Sequence, residues 1–170
     1  VLQHRTIAPG VIFEDRDLKI TAYVTEHPPI EPAVGYRFDY KGRSVVVSGD
    51  GNVNGDTRDI VDGVDLLLHD ALSVPTVTAL SKAMGAAGRS RQSKIVSDVM
   101  DYHASTDSLI ELGEQSNVDM VAFYHLVPVP LNAVLEDVFK RGMPENFLLA
   151  EDLMSFELPI GSDEIVVNRP

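Results

Sequence analysis

The sequence predicts an α/β domain (α+β in some classification schemes) in which helices flank a mixed sheet. Three features predict it: segments with the period of a strand open the chain, apolar strands then alternate with helical segments, and polar residues follow the ends of those strands. A chain of 170 residues fits one domain with a core of ordinary size, so we expect 1–170 to form a single domain. Because strands alternate with helices, the helices are expected to pack on the sheet faces.

Composition narrows the classes of protein that the chain can belong to. Hydrophobic residues make up 44% of it, which excludes a disordered polypeptide, and no apolar run is long enough to predict a membrane span. The net charge of −12 argues against a protein that coats nucleic acid, but it leaves open an enzyme that holds an anionic substrate through metal ions. The absence of cysteine excludes disulfides, cysteine-ligated zinc and thiol nucleophiles.

The first strands alternate apolar with polar residues. Residues 18–24 have this period, and so do residues 34–40, which are followed by Lys-Gly-Arg and a third run at 44–48. Gly42 can adopt the backbone conformation of a tight turn, so residues 34–48 are predicted to form a β-hairpin.

The remaining strands are apolar at successive positions, which is typical of strands that are buried on both faces. Such runs occur at 45–47, 66–68 and 120–124, and they predict the centre of the sheet. Strands at 147–150 and 165–168 are predicted to finish the chain.

Helices are predicted between the central strands. One lies within 95–102, a second spans 106–115 with Asn117 as a left-handed C-cap, and the clearest spans 131–141 with its apolar residues on one face. Residues 82–94 carry four basic residues among Gly, Ala and Ser, and we interpret them as a basic loop.

Polar residues collect where the predicted strands end, and ligand sites in such sheets form at the carboxyl ends of strands. They are Glu26, His27, Asp50, His69, Asp70, His125, Glu151 and Asp152, with His103 just before a helix and His4 standing apart. Imidazole and carboxylate without thiolate suit zinc, manganese or iron. Each residue also has a structural interpretation: Asp50 as a turn former, His125 as a core or capping residue, Asp70 as a helix cap, and His103 as a residue that merely precedes an N-cap.

Four segments carry these residues in a specific order. Residues 42–50 end in Ser-Gly-Asp, 64–71 contain Leu-Leu-Leu-His-Asp-Ala, 102–106 are Tyr-His-Ala-Ser-Thr, and 118–128 end in Tyr-His-Leu-Val-Pro. Together they resemble the C-terminal half of the metallo-β-lactamase superfamily, in its ribonuclease Z-like and arylsulfatase-like branch. The resemblance covers roughly residues 18–152 and implies half of an αββα sandwich.

The resemblance implies a role for each matching residue. Asp50 matches the aspartate that bridges two metals, and His125 matches the last histidine ligand of the second metal. His103 and Asp70 match a His–Glu pair in which the histidine contacts the scissile group and the carboxylate orients it. His27 matches a position that is often histidine, and we expect a structural role for it. Two divalent metal ions are implied, zinc first, with manganese or iron as alternatives.

The sequence departs from the family pattern in three respects. The H-x-H-x-D-H motif and a further histidine ligand of the N-terminal half are absent, so the chain is expected to begin after them, to bind metal weakly or not at all alone, and to be inactive alone. Asp70 stands where glutamate is usual. A long basic arm of the kind that grips transfer RNA is not visible. We expect the missing half of the fold or a homodimer to cover the apolar face left open.

The expected function is metal-dependent hydrolysis of ester substrates, with phosphodiesters first, in the cytoplasm. The substrate would be a small anionic ester or a nucleic-acid phosphodiester, and no membrane partner is expected. Arylsulfatase-like or lactonase-like hydrolysis would use the same residues. A non-catalytic domain that kept the fold is the alternative from another class of protein.

Overall fold

The computed structural model describes residues 6–170. His4 therefore lies outside the described part. Its centre is a seven-stranded mixed sheet whose strands lie side by side in chain order. These are β1 (Gly10–Glu14), β2 (Leu18–His27), β3 (Ile30–Tyr40), β4 (Arg43–Val47), β5 (Leu66–Leu72), β6 (Met120–Val127) and β7 (Phe147–Leu149). A separate antiparallel ribbon contains β8 (Ser155–Glu157) and β9 (Val166–Asn168).

Within residues 6–170, five α-helices connect and cover the strands. They are α1 (Gly55–Val61), α2 (Val74–Ala86), α3 (Ser90–Asp98), α4 (Thr106–Gln115) and α5 (Ala133–Phe139), with a 3-10 turn at Val99–Asp101. None of the helices within residues 6–170 combines the length and the apolar character that a bilayer crossing requires.

Strand direction changes once across the sheet. β1 to β4 pair antiparallel, and β3 joins β4 through Lys41 and Gly42, whose φ angles of 48° and 84° are those of a type I′ turn. β4 to β7 pair parallel, because each connection there crosses over through helices. The pairings of β4 with β5 and of β5 with β6 bring the carboxyl ends of these three strands to one edge of the sheet.

The core lies between the central strands and the helices. Val46, Leu67 and Val121 stand on β4, β5 and β6 with no exposed surface, and Leu109 and Leu112 of α4 pack in the same cluster. This confirms the predicted central strands and the predicted α/β class, with helices flanking a mixed sheet.

The predicted basic loop at 82–94 is wrong, because these residues are helical except at the short connection between α2 and α3. Ala, Lys, Arg and Met favour helix, and Gly88, with a φ of 73°, makes the turn. The helix predicted at 95–102 therefore begins earlier and finishes in the 3-10 turn. The left-handed Asn117 after α4 is confirmed, with a φ of 51°.

Other differences concern helix and strand ends. The helix predicted at 131–141 is shorter because the side chain of Asn132 caps it, accepting a hydrogen bond from the Leu135 N–H at 3.1 Å. β1, α1 and β8 were not predicted, although α1 begins with a capping box formed by Asn54 and Thr57.

Large apolar side chains are exposed along the first strands. Val11 and Phe13 of β1 and Ile30 of β3 are 53%, 46% and 58% exposed. The covering of such a face by the other half of a sandwich, or by a second copy of the chain, stays a prediction.

Gly113 of α4 provides a test of the packing between helix and sheet. A Cβ there would lie 2.6 Å from Cζ of Phe147 and 3.2 Å from Cγ2 of Val121. We expect Gly113→Ala to lower the free energy of unfolding by about 1–3 kcal/mol, because the added methyl group overpacks the contact. Urea unfolding of the variant and the wild type measures this difference.

Gly85→Ala in α2 is the matched control. Its nearest neighbour, the hydroxyl of Ser93, would lie 3.4 Å from the new Cβ, so the helix propensity of alanine should leave stability unchanged or raise it. Equal stability of the Gly113→Ala variant and the wild type would contradict the packing described.

Candidate active site

The site forms where three parallel strands end. Val47 pairs with Leu68 across β4 and β5, and β5 pairs in parallel with β6, so the segments that follow emerge side by side. Asp50 follows β4, whereas Asp70 and His125 lie near the ends of β5 and β6. His103 joins them from the loop before α4. The structure therefore brings the four predicted site residues together.

Asp70 and His103 form a buried pair. Nδ1 of His103 lies 2.7 Å from Oδ2 of Asp70, and the side chains are 7% and 0% exposed. The predicted pairing is confirmed, although 33 residues separate the two positions. The structural alternatives are wrong, because Ser73 rather than Asp70 caps α2 and because His103, which does precede the N-cap of α4, is buried against Asp70.

Two further groups hold the Asp70 carboxylate. Nδ1 of His69 lies 2.9 Å from Oδ1, and the Gly51 N–H donates to the same oxygen at 3.3 Å. Burial alone would raise the pKa of Asp70, but the hydrogen bonds from His103 and His69 outweigh it and hold this pKa below its usual value. Asp70 is therefore a buried carboxylate that stays charged at neutral pH.

Main-chain contacts fix the position of His103. The Leu72 N–H donates to the Ala104 carbonyl at 2.7 Å, and the side chain of Ser105 caps α4 by accepting from the Ser108 N–H at 3.1 Å. Since Nδ1 contacts Asp70, Nε2 is the nitrogen of His103 that remains available. The ring centroid of His103 lies 5.5 Å from that of His125.

His125 and Asp50 form the open side of the site. Nε2 of His125 lies 3.6 Å from Oδ2 of Asp50, and the side chains are 49% and 46% exposed. His125 is the extra residue of a bulge in β6, and its φ is 44°, a left-handed conformation that costs a non-glycine residue about 1 kcal/mol or more. The bulge directs the ring out of the sheet, so the core interpretation of His125 is wrong.

The loop that carries Asp50 is held by its flanking glycines. Gly49 has a φ of 67°, and its carbonyl accepts a hydrogen bond from the Tyr124 hydroxyl at 3.2 Å. Gly51 leaves no room for a Cβ beside Thr25, and its N–H reaches Asp70. The loop therefore links Asp50 to the buried pair. Sequence reasoning missed Tyr124, whose position in a strand gave no such signal.

His27 adds a third imidazole to the site. Its ring centroid lies 4.8 Å from that of Tyr102 and 5.4 Å from that of His103, edge to face in the second case. Its Nδ1 is buried and has no hydrogen-bond partner among residues 6–170. This position suits the expected structural role, because His27 and Tyr102 brace the ring of His103. Sequence reasoning missed Tyr102, because its contact with His27 forms only when the segment before α4 folds beside the end of β2.

The donor set fits a divalent metal only in part. Asp50 and His125 present a carboxylate oxygen and an imidazole nitrogen to the same opening, and both donors suit zinc. Within residues 6–170 no three His, Asp or Glu side chains are arranged to hold a metal ion. The two residues fit part of a metal centre that needs further ligands.

A groove of about 660 Å³ begins at His125 and runs between α5 and β7. It is lined by apolar residues that include Val129, Met143 and Leu149, and also by Glu151 and Asp152. The last two residues, which sequence analysis grouped with the site, therefore line this groove rather than the Asp70–His103 pair.

The chain is similar in sequence to curated ribonucleases Z, although no protein-family model matches it. It is 27% identical over 119 residues to ribonuclease Z of Mycobacterium avium (strain 104), which covers 70% of this chain and 39% of the relative. It is 30% identical over 116 residues to a putative ribonuclease Z of Mycobacterium tuberculosis (strain CDC 1551 / Oshkosh). That alignment covers 67% of this chain and 46% of the relative. The chain thus spans less than half the length of these relatives.

Solved structures share the fold. The short form of human tRNase Z superposes with a TM-score of 0.57 at 19% identity, over 88% of this chain and 47% of that one. The metallo-β-lactamase fold protein YhfI from Bacillus subtilis gives 0.56 at 14% identity, over 82% and 49%. Zn(2+)-bound PqqB from Methylobacterium extorquens gives 0.56 at 18% identity, over 87% and 50%. By its sequence relatives and its fold together, the chain belongs to the metallo-β-lactamase superfamily as a ribonuclease Z-like member.

Proposed function

We propose that this chain is the C-terminal part of a metal-dependent hydrolase of ester bonds, with phosphodiesters as its foremost substrates. The observation that carries the proposal is the buried Asp70–His103 pair, which leaves one imidazole nitrogen available beside Asp50 and His125. Similarity to proteins named ribonuclease Z supports the phosphodiester. The rest of the fold, with the H-x-H-x-D-H motif, would complete the site.

Asp50 and His125 would hold the metal on the open side of the site. Divalent cations, zinc foremost, supply charge neutralisation and acidify a water at neutral pH. The carboxylate of Asp50 can contact two cations through its two oxygens, whereas neutral His125 offers one lone pair to one cation. The bulge and the glycine-flanked loop position these donors before any metal binds.

His103 would act on the substrate through Nε2. With Nδ1–H donated to Asp70, a protonated His103 donates Nε2–H to a phosphoryl oxygen or to the leaving oxygen. As the oxygen of a water molecule bonds to phosphorus and the bond from phosphorus to the leaving oxygen breaks, the leaving oxygen takes the Nε2 proton. The neutral imidazole is then reprotonated from solvent, which receives the proton that the attacking water loses. The charged Asp70 accepts from Nδ1–H and so holds the ring with Nε2 toward the opening.

The groove beside His125 favours a second candidate, hydrolysis of a smaller ester such as an aryl sulfate or a lactone. The apolar residues in its walls, such as Val129 and Met143, could bury an apolar leaving group or acyl chain. A non-catalytic domain fits less well. Nε2 of buried His69 has no hydrogen-bond partner within residues 6–170, and such a group costs stability that a purely structural domain has no need to lose.

Substitution of His103 separates its role from that of the metal ligands. In the full-length enzyme, we expect His103→Ala to lower kcat on a phosphodiester by roughly 10²–10⁴-fold while metal content stays unchanged. Asp50→Ala is the matched comparison and should lose metal. Equal loss of metal in both variants, measured by atomic emission, would contradict the proposed roles.

Asp70 should give stability a recognisable pH dependence. The pKa of Asp70 is lower in the folded protein than the value of about 3.9 for an unfolded aspartate, so its contribution to stability is present above that pH and is lost as the pH falls through the folded pKa. The difference in free energy of unfolding between wild type and Asp70→Asn should therefore shrink as the pH falls below about 4. Urea unfolding at several pH values measures it.

The exposed Asp119→Asn controls for general acid unfolding of so acidic a chain. A difference between wild type and Asp70→Asn that stays constant from pH 7 to the acid limit of folding would mean that Asp70 is not held as a charged group. In the enzyme, the Asp70→Asn variant should also turn over more slowly with its metal still bound.

The 170-residue chain provides a test of the incomplete metal centre. Within residues 6–170, Asp50 and His125 are the two donors that face the opening, so zinc should bind weakly and be removed readily by a chelator, because two ligands leave the cation largely hydrated. Stoichiometric zinc that resists the chelator would instead point to a different set of ligands. Titration with a colorimetric zinc indicator distinguishes the two results.

A further inference from the structure

Helices α2 and α3 form a hairpin whose charge is opposite to that of the rest of the protein. The hairpin, residues 73–98, contains Lys82, Arg89, Arg91 and Lys94, and residues 71–97 contain no Asp or Glu at all. The whole chain has a net charge of −12. We call residues 73–98 the basic hairpin. Such segregation of charge is typical of a surface that binds an anionic partner.

The basic hairpin is a compact unit that projects from the domain. Ser81 and Ser93 join its helices, with the Ser93 hydroxyl donating to the Ser81 carbonyl at 2.8 Å and the Ser81 hydroxyl to the Ser93 carbonyl at 2.9 Å. Val77 is the one buried residue of α2, and α3 has none. Most of the hairpin surface is therefore available for contact.

Both ends of the basic hairpin are attached beside the candidate site. At its start, the Ser73 N–H donates to the Val127 carbonyl at 2.9 Å, three residues after Asp70. At its end, α3 continues through the 3-10 turn to His103. The 13 residues of α2 extend about 20 Å at 1.5 Å per residue, so the basic hairpin reaches about that far from its attachment beside the site.

The cations of the basic hairpin are exposed and mostly unpaired. All four are exposed, and within residues 6–170 only Lys94 forms an ion pair, with Asp98 at 2.8 Å. Lys82 and Lys94 each follow one of the serines at the contact between the helices. In two antiparallel right-handed helices such positions are related by a two-fold axis and lie on the same face of the pair. Arg91, one turn before Lys94, lies on that side of α3 as well.

We infer that the basic hairpin binds the phosphate backbone of a nucleic acid whose scissile phosphodiester lies beside His103, an inference that rests on the proposed function. A length of about 20 Å corresponds to about six nucleotides at 3.4 Å per nucleotide of a strand. A small ester held at the site does not extend that far, whereas a polynucleotide does.

The composition of the basic hairpin also defines the kind of contact. Residues 73–98 contain no Phe, Tyr or Trp, so they offer no aromatic ring on which a base could stack. Lys and Arg contacts to phosphate position a strand without reading its sequence. The hairpin therefore adds affinity that depends on salt and on strand length but not on base sequence.

Binding of RNA by the full-length protein, with metal chelated to prevent cleavage, tests the inference. The variant carries Lys82→Gln, Arg89→Gln, Arg91→Gln and Lys94→Gln. Fluorescence anisotropy with a labelled 20-nucleotide single strand should give an affinity about tenfold or more weaker at low salt. The slope of log K against log[salt] should fall by about three, since each lost phosphate contact removes about 0.7. Binding of a labelled dinucleotide should not change.

A matched control changes four exposed cations elsewhere: Arg16→Gln, Lys19→Gln, Lys41→Gln and Arg58→Gln. It changes net charge equally and should retain RNA binding close to that of the wild type. Equal weakening in both variants would mean that overall charge, not the basic hairpin, governs binding, and would overturn the inference. So would wild-type protein that binds no RNA, or a hairpin variant that binds RNA normally but changes its oligomeric mass, since the hairpin would then contact protein.

Hydrolysis of bis(4-nitrophenyl) phosphate separates this inference from the proposed function. The metal-loaded wild type and the hairpin variant should hydrolyse this small diester with equal kcat/KM, because it does not reach the hairpin. Absence of hydrolysis by the wild type would count against the proposed function alone, while the RNA measurements still decide the role of the basic hairpin.

Discussion

The carboxylate of Asp70 connects the parts of the protein that make up the candidate site. It lies on β5 with no exposed surface and contacts His103 before α4, His69 on its own strand, and the Gly51 N–H in the loop that carries Asp50. A buried charge is tolerated only where hydrogen bonds replace its hydration, so these contacts stabilise the packing of β5. The position of Asp50 and that of the ring of His103 are thereby tied to the folding of the core.

The two halves of the site differ in how complete they are. The Asp70–His103 pair is buried and has its partners, whereas Asp50 and His125 are about half exposed and face each other across 3.6 Å. Open donors are what a metal centre presents when other ligands remain to be added, because a buried carboxylate without its cation would be destabilising. The proposed acid and the proposed metal ligands can therefore be tested separately.

The sequence predicted the strands well because their physical signals are local. Alternation identified the hairpin with Gly42 at its turn, and unbroken apolar runs such as 45–47 identified the parallel centre. The site could be located because parallel strands end at one edge. The pairing of Asp70 with His103 came from the family resemblance, since no local pattern relates residues 33 positions apart. The bulge at His125 depends on the register of β5 against β6, which composition does not encode.

The failure at residues 82–94 has a physical reason that bears on function. Gly, Ser and basic residues indicated a loop because the two helices lack a wide apolar stripe, and they lack it because they bury almost nothing against the domain. Their stability comes instead from the contact between Ser81 and Ser93 and from attachment at both ends. A segment that packs little against the domain can carry a net charge opposite to that of the whole chain. The proposed metal ligands can therefore stand beside the proposed phosphate-binding surface of the basic hairpin, without the repulsion that a uniformly acidic surface would exert on a phosphodiester.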